Sequence, residues 1–172
     1  MQTINTGAIT DKYKRLLEEY CLALKQHFGE RLSSICLFGS VARVEAEPES
    51  DIDILVVADG LPMDLGLRTR ETSYIHENLK KSEGYLSLRK LGISGLIADI
   101  FLTPQEVKAH PPILLDIVDD GVIIYDKGFF LARELDSLKE ALRRLNARKV
   151  SGSRGHYWVI KPNIKPGEVV KI

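Results

Sequence analysis

Apolar residues recur at helical spacing in two long stretches of the chain. Over residues 11–28 they lie mostly three or four positions apart, which predicts an amphipathic helix. Thr10 is a suitable N-cap for this helix, and Gly29 can end it in a left-handed conformation. A second repeat, of leucines between Leu131 and Leu145, predicts a long helix over about residues 129–147.

Short apolar runs bounded by polar residues, Gly or Pro predict four strands, at residues 32–38, 51–58, 96–102 and 122–125. The run from Ile54 to Val57 is continuously apolar, as in strands that are covered on both faces. Shorter helices are expected between the strands, at residues 41–46, 65–81 and 113–119 and from Pro104. The pattern over residues 84–95 is ambiguous between helix and strand. This alternation predicts an α/β fold with a mixed sheet flanked by helices.

The length of 172 residues fits one domain. We expect this domain over residues 1–150, with its core at about residues 32–125. Residues 151–172 contain several Gly and Pro residues. They predict a basic, loop-like C-terminal extension with one strand at residues 157–160.

Composition places the chain among ordinary globular proteins, because 44% of its residues are apolar and 28% are charged. No apolar run approaches the roughly 20 residues that a membrane-spanning helix needs. The N-terminus has no basic start followed by an apolar block, so no secretory signal is expected. Two cysteines, Cys21 and Cys36, do not make a disulfide framework. These features predict a cytoplasmic protein without a membrane partner.

Charge is balanced over the whole chain but divided along it. The 24 basic and 24 acidic residues argue against a protein held to nucleic acid by bulk charge alone. Residues 45–64 contain seven acids and no base, whereas residues 139–172 contain nine bases and two acids. Such blocks indicate either a cation-binding region and an anion-facing region or two solvated surfaces.

Asp51 and Asp53 carry the first candidate chemistry, because residues two apart on a strand point to the same face. That spacing separates the two positions by about 6.5–7 Å along the backbone. Two carboxylates so close together are unfavourable unless a cation lies between them. Carboxylate oxygens suit Mg²⁺, which keeps water ligands and accepts substrate phosphates as further ligands. The pair therefore predicts a Mg²⁺ site, and a solvated strand end is the alternative.

Gly39 and Ser40 follow a predicted strand and begin a short helix. Gly lets a phosphate approach the backbone, and the N–H groups at a helix start attract anions. The Ser40 hydroxyl can add a hydrogen bond, and Arg43 can reach the same phosphate or pair with a carboxylate. A phosphate cradle beside a metal-binding pair is what phosphoryl or nucleotidyl transfer needs.

Two segments of this chain resemble the signature of a known family; they are Gly39-Ser40-Val41-Ala42-Arg43 and Ser50-Asp51-Ile52-Asp53-Ile54. They look like the signature of the nucleotidyltransferase superfamily that includes DNA polymerase beta, and most closely of its small stand-alone members, the minimal nucleotidyltransferases. The resemblance implies the nucleotidyltransferase fold. It also implies a third carboxylate on a later strand, and Asp99 is the match. A structural Asp99 paired with a base is the alternative.

The activity implied by this resemblance is transfer of NMP, most readily AMP from ATP, to an acceptor hydroxyl. Asp51, Asp53 and Asp99 would hold two Mg²⁺ ions, and Asp99 would help to deprotonate the acceptor. Gly39 and Ser40 would hold the β- and γ-phosphates with support from Arg43.

The acceptor implied by the resemblance is a protein, a nucleic acid or a small molecule. Some small members of the family are antitoxins that adenylylate a toxin protein, so a toxin-like partner or a homo-oligomer is expected. Val44 departs from the family, which usually has Gly there, and a β-branched residue restricts the backbone. It favours the alternative, a non-catalytic nucleotide-binding or antitoxin-like module with the same fold.

Overall fold

The computed structural model describes residue 7 and residues 9–152, 155–165 and 167–170. Most of the segment before Thr10 and parts of the expected C-terminal extension lie outside the described residues. The helices are α1 (Asp11–Phe28), α2 (Gly39–Ala42), α3 (Leu65–Leu79), α4 (Glu83–Lys90), α5 (Pro104–Lys108), α6 (Ile113–Ile117) and α7 (Phe130–Arg144). The strands are β1 (Leu32–Phe38), β2 (Ile52–Ala58), β3 (Ile97–Leu102), β4 (Val122–Asp126), β5 (Arg148–Gly152) and β6 (Gly155–Val159).

The first four strands form one sheet in the order β3-β2-β1-β4. Strand β1 runs antiparallel to both β2 and β4, whereas β2 and β3 are parallel. The expected mixed sheet is therefore confirmed. The last two strands pair with each other as an antiparallel hairpin. None of the helices in the described part of the chain is long and apolar enough to cross a bilayer.

Helices cover both faces of the sheet, and alternation along β2 divides its residues between them. Ile52 and Ile54 lie in the buried cluster that contains residues of α1, α3 and α4, and we call this side the α1 face. Leu55 and Val57 lie in the cluster that contains residues of α5, α6 and α7, and we call this side the α7 face. Two-sided burial explains why β2 is continuously apolar after Asp53.

Several helix ends differ from the sequence prediction for local backbone reasons. The helix expected over 41–46 is α2, which ends before Val44 takes a positive φ of 60°. The helix expected over 129–147 ends at Arg144, and Asn146, with φ at 55°, takes the left-handed conformation typical of a helix end. The unassigned stretch 84–95 contains α4, which Ser82 caps by accepting a hydrogen bond from the Tyr85 amide.

The C-terminal region differs most from the prediction. The strand expected at 157–160 is present as β6, but it pairs with a second strand at residues 148–152 that the sequence pattern does not predict, and the two form the β5–β6 hairpin. The hairpin begins at Arg148, before residue 151, where the sequence predicts the extension to start. Strand pairing explains the difference: β5 has no apolar run of its own and takes its extended form from β6.

Candidate active site

The two halves of the signature meet through the pairing of β1 with β2. Phe38, the last residue of β1, lies directly opposite Asp53. Gly39 and Ser40 follow Phe38 at once and begin α2, so they lie beside Asp53. Asp51 immediately precedes β2 and is exposed, whereas Asp53 is half-buried. One antiparallel strand pair therefore positions the phosphate-cradle residues and both carboxylates.

Gly39 is in contact with Asp53 so closely that no side chain fits there. Its φ is 70°, in the region that favours Gly. A Cβ added to Gly39 would lie 2.1 Å from Oδ2 of Asp53. The Asp53 carboxylate thus packs directly on the Gly39 backbone, which keeps this carboxylate at the turn where the phosphate cradle is expected.

The electrostatics of the pair favour a bound cation. Burial, with repulsion from Asp51, raises the pKa of Asp53, and Arg43 opposes this shift. In the described residues no group of three His, Cys, Asp or Glu side chains is arranged to hold a metal ion. Two carboxylates with open positions fit Mg²⁺, which usually completes its shell with water and substrate phosphate oxygens. The donor set is therefore suited to a hard divalent cation that arrives with a nucleotide.

Arg43 and Ser40 lie at the same turn. Nε of Arg43 donates to Oε2 of Glu45 at 2.8 Å, so its guanidinium is paired with a carboxylate on the surface. The Ser40 carbonyl accepts a hydrogen bond from the Glu45 amide at 2.9 Å, which closes the turn after α2. Both residues stay next to the carboxylate pair, and Arg43 can exchange a surface partner for a phosphate.

Val44 occupies a backbone conformation that suits the Gly of the family. Its φ is 60°, and its side chain is exposed. The left-handed region is strained for a β-branched residue. The departure from the family pattern therefore leaves the turn in its Gly-like form and places strain on this residue.

We expect Val44→Gly to stabilise the protein by about 0.5–1 kcal/mol, since relief of left-handed strain exceeds the entropy that Gly adds to the unfolded chain. Denaturant unfolding monitored by circular dichroism measures the change. Val44→Ala is the matched control, because it removes β-branching but keeps a Cβ at positive φ. Equal stability of Val44→Gly and Val44→Ala would show that the left-handed backbone does not strain this residue.

Asp99 does not join Asp51 and Asp53. In the parallel pairing of β2 with β3, Asp99 lies opposite Ile54, and Ala98 lies opposite Asp53. Paired residues point to the same side of a sheet, so Asp99 faces the α1 face and Asp53 faces the α7 face. Strand β3 lies beside β2, but the convergence of three carboxylates that the resemblance implies is not found.

Two side chains of the α1 face satisfy Asp99. The Tyr20 hydroxyl donates to Oδ2 of Asp99, and Nε2 of His76 lies 2.7 Å from the same oxygen. Burial and the neighbouring Asp99 carboxylate raise the pKa of Tyr20, which keeps its hydroxyl protonated as a donor. His76 and Asp99 also line a cavity of about 460 Å³ between α3, α4 and the start of β3. This arrangement matches the alternative in which Asp99 pairs with a base.

The cavity at Asp53 contains residues that sequence reasoning missed. Its volume is about 300 Å³, and its lining comprises Phe38, Gly39, Arg43, Asp53, Asp116, Lys149 and His156. Asp116 belongs to α6, where its helical position indicates only a solvated acid. Lys149 and His156 belong to the β5–β6 hairpin, and the excess of bases after residue 139 is the only sequence signal for them.

Comparisons with known proteins agree with the signature. A family model described as a nucleotidyltransferase domain matches residues 17–92. A proposed protein adenylyltransferase of Methanocaldococcus jannaschii is 32% identical over 132 residues, which cover 76% of this chain and 83% of that protein. A second proposed protein adenylyltransferase of the same organism is 46% identical over 46 residues, 27% of this chain and 46% of that protein.

Among solved structures, a toxin–antitoxin crystal structure with AMP-PNP contains a chain that is 16% identical, with a TM-score of 0.46. The match covers 75% of this chain and 92% of that chain. Family membership rests on the first relative, because its identity extends over most of both proteins. The chain therefore belongs to the nucleotidyltransferase family, together with the proposed protein adenylyltransferase that it matches over most of its length.

Proposed function

We propose that this enzyme transfers AMP from ATP to a hydroxyl group of a protein acceptor in a Mg²⁺-dependent reaction. The observation that carries the proposal is the packing of the Asp53 carboxylate on Gly39, with Asp51 on the same strand segment. It unites a cation-seeking pair with a turn that borders a cavity of about 300 Å³. The protein acceptor is supported by two relatives that are proposed protein adenylyltransferases.

In this proposal Asp51 and Asp53 would hold Mg²⁺, as two ions by the family resemblance. Bound there, the metal would stabilise charge on the attacking and leaving oxygens. Gly39 lets the phosphates approach the α2 turn, and Ser40 adds a hydroxyl. Arg43 exchanges its ion pair with Glu45 for one with a phosphate oxygen, because the phosphate has a higher charge density than the carboxylate. The acceptor oxygen attacks the α-phosphorus, and pyrophosphate departs on the opposite side.

The proton of the acceptor hydroxyl needs a base, and we propose Asp116 rather than Asp99 for this role. Asp116 lines the same cavity as Asp53, whereas Asp99 lies on the other face of the sheet and is bonded to Tyr20 and His76. A base must come within hydrogen-bond reach of the proton it removes. Of these two acids, Asp116 can meet a ligand in the Asp53 cavity without the sheet lying between them.

We expect Asp116→Asn to lower the transfer rate about 10²-fold, the usual contribution of a general base. Asp99→Asn should leave the rate nearly unchanged and should lower the stability by about 1–2 kcal/mol, because its bonds to Tyr20 and His76 weaken. Single-turnover transfer and denaturant unfolding of both variants measure these effects. If Asp99→Asn instead lowers the transfer rate more than Asp116→Asn does, Asp99 is the third acid of the site.

The function itself is tested with ATP radiolabelled at the α-phosphate or at the γ-phosphate. The protein, Mg²⁺ and extract of its own cells are incubated, and the acid-insoluble label is counted. AMP transfer to protein predicts α-label that is sensitive to protease and resistant to nuclease, with no γ-label. EDTA should prevent labelling. Label that nuclease removes would replace the protein acceptor with a nucleic acid, and γ-label would identify phosphoryl transfer instead.

A non-catalytic module that binds nucleotide and a toxin-like protein is the second candidate. Besides Val44, one structural observation favours it: the strand neighbour of Asp53 is Ala98, so β3 places no carboxylate directly beside Asp53. The two functions differ in turnover. A binding module predicts saturable ATP binding without release of pyrophosphate in the presence of any extract fraction. A transferase predicts that one pyrophosphate is released for each AMP attached.

A further inference from the structure

The β5–β6 hairpin presents one organised face to the rest of the protein. Lys149 pairs with Trp158, and Ser151 pairs with His156, in the antiparallel register. Because alternate residues share a face and opposed residues lie together, these four side chains belong to the same face. That face carries an ammonium group, an imidazole and an indole in adjacent positions.

The indole fixes this face onto helix α6. Nε1 of Trp158 donates to the Leu115 carbonyl at 3.1 Å. Trp158 and Ile160 also pack against the buried cluster of the α7 face, and Ala147 does so just before β5. A hydrogen bond and apolar contacts at both ends hold the hairpin against the domain. The positions of Lys149 and His156 are therefore set by packing.

Two residues of the hairpin, Lys149 and His156, line the candidate active-site cavity. Lys149 and His156 share this cavity with Gly39, Arg43 and Asp53. Nζ of Lys149 lies 3.3 Å from Oδ2 of Asp120 and 3.8 Å from Oδ2 of Asp119. These carboxylates hold the ammonium near the cavity before any ligand binds. Asp53 and the hairpin residues Lys149 and His156 thus line the same cavity of about 300 Å³.

We propose that Lys149, with His156 beside it, binds the β- and γ-phosphates of the donor nucleotide and then the pyrophosphate that leaves. This inference rests on the proposed function. Mg²⁺ held by Asp51 and Asp53 would offset part of the triphosphate charge, and Lys149, which lines the same cavity as Asp53, would offset more of it. Lys149 adds a point charge with three donors, which suits phosphate oxygens that shift during the reaction. The hairpin is then the polyphosphate-binding wall, and the α2 turn is its counterpart.

Isothermal titration of the full chain with ATP and with AMP, each with Mg²⁺, tests this role. Lys149→Met keeps the aliphatic stem and removes the charge. It should weaken ATP binding about 10- to 100-fold, as expected for a lost charged hydrogen bond, and leave AMP binding unchanged. Lys149→Arg should retain most of the ATP affinity. Trp158→Ala, which releases the hairpin from Leu115, should show the same selective loss of ATP binding.

Lys161→Ala is the matched control, since Lys161 pairs with Glu168 in the same tail and lies outside the cavity lining. It should bind both nucleotides as the wild type does. Two results would contradict the inference when the wild type binds ATP: Lys149→Met binds ATP equally well, or it loses affinity for ATP and AMP to the same extent. In either case the proposed function stands. A wild type that binds no ATP with Mg²⁺ would overturn the proposed function and this inference with it.

Discussion

Replacing Asp51 and Asp53 together by Asn is expected to abolish transfer and to leave the fold intact. The rate should fall by at least about 10²–10³-fold, the cost of removing a single electrostatic stabiliser, because both proposed metal-binding carboxylates are lost. Asn keeps the shape of Asp, so its contact with Gly39 is preserved. Radiolabel transfer from ATP measures the loss.

The same double variant should unfold at the same temperature as the wild type or higher when no metal is present. Burial and Asp51 raise the pKa of Asp53, so the folded state disfavours its charged form. A carboxyl whose pKa is higher in the folded than in the unfolded state lowers stability at pH values above its unfolded pKa. Removing the charge removes that penalty at neutral pH. Addition of Mg²⁺ with ATP should raise the midpoint of the wild type only.

Glu47→Gln with Glu49→Gln is the matched control. These acids are also two positions apart in the same acidic segment, and both are exposed. Their loss should affect neither transfer nor the response to Mg²⁺ with ATP. A strongly destabilised Asp51/Asp53 variant would identify the pair as structural residues, and a variant with wild-type transfer would place the metal site elsewhere.

Gly39→Ala is the second substitution with a large expected effect. The new Cβ would lie 2.1 Å from Oδ2 of Asp53, so the carboxylate must move away from the turn. We expect transfer to fall about 10²-fold, because small displacements of reacting groups are costly. Stability should fall by about 1–2 kcal/mol, because φ is 70° at this residue.

Gly92→Ala separates backbone strain from the clash. Gly92 has a φ of 75°, and a Cβ there would meet nothing within 4 Å. It should lose a similar amount of stability and keep its transfer rate. Unfolding midpoints and single-turnover rates of the two variants are compared under the same conditions. Equal rates in the two variants would show that the Asp53 contact is not needed for transfer.

The elements nearest to the signature could be predicted from sequence because their patterns are local. Helix α1 and strand β1 have the predicted bounds, and their apolar spacing and the following Gly residues define them. The face of Asp99 could not be predicted, because it depends on the register between β2 and β3. A shift of one residue moves every side chain of a strand to the other face.

The far wall of the site depends on tertiary contacts. Lys149 and His156 reach the cavity through strand pairing and through the bond between Trp158 and Leu115. Neither contact has a spacing that can be read along the chain. Composition indicates that the C-terminal region is basic, but its place in the fold follows from how an indole packs against a helix.

The pairing of Phe38 with Asp53 has a consequence for the order in which the site assembles during folding. The loop that joins Gly39 to Asp53 is short, whereas the loop that brings Lys149 back to the same place is roughly eight times as long. In an otherwise unstructured chain, closing the longer loop costs about 2 kcal/mol more in conformational entropy. Contacts between residues close in sequence also form faster. The carboxylate pair and its turn are therefore expected to form early, on the nascent chain, before the segment that carries the polyphosphate-binding wall has been synthesised.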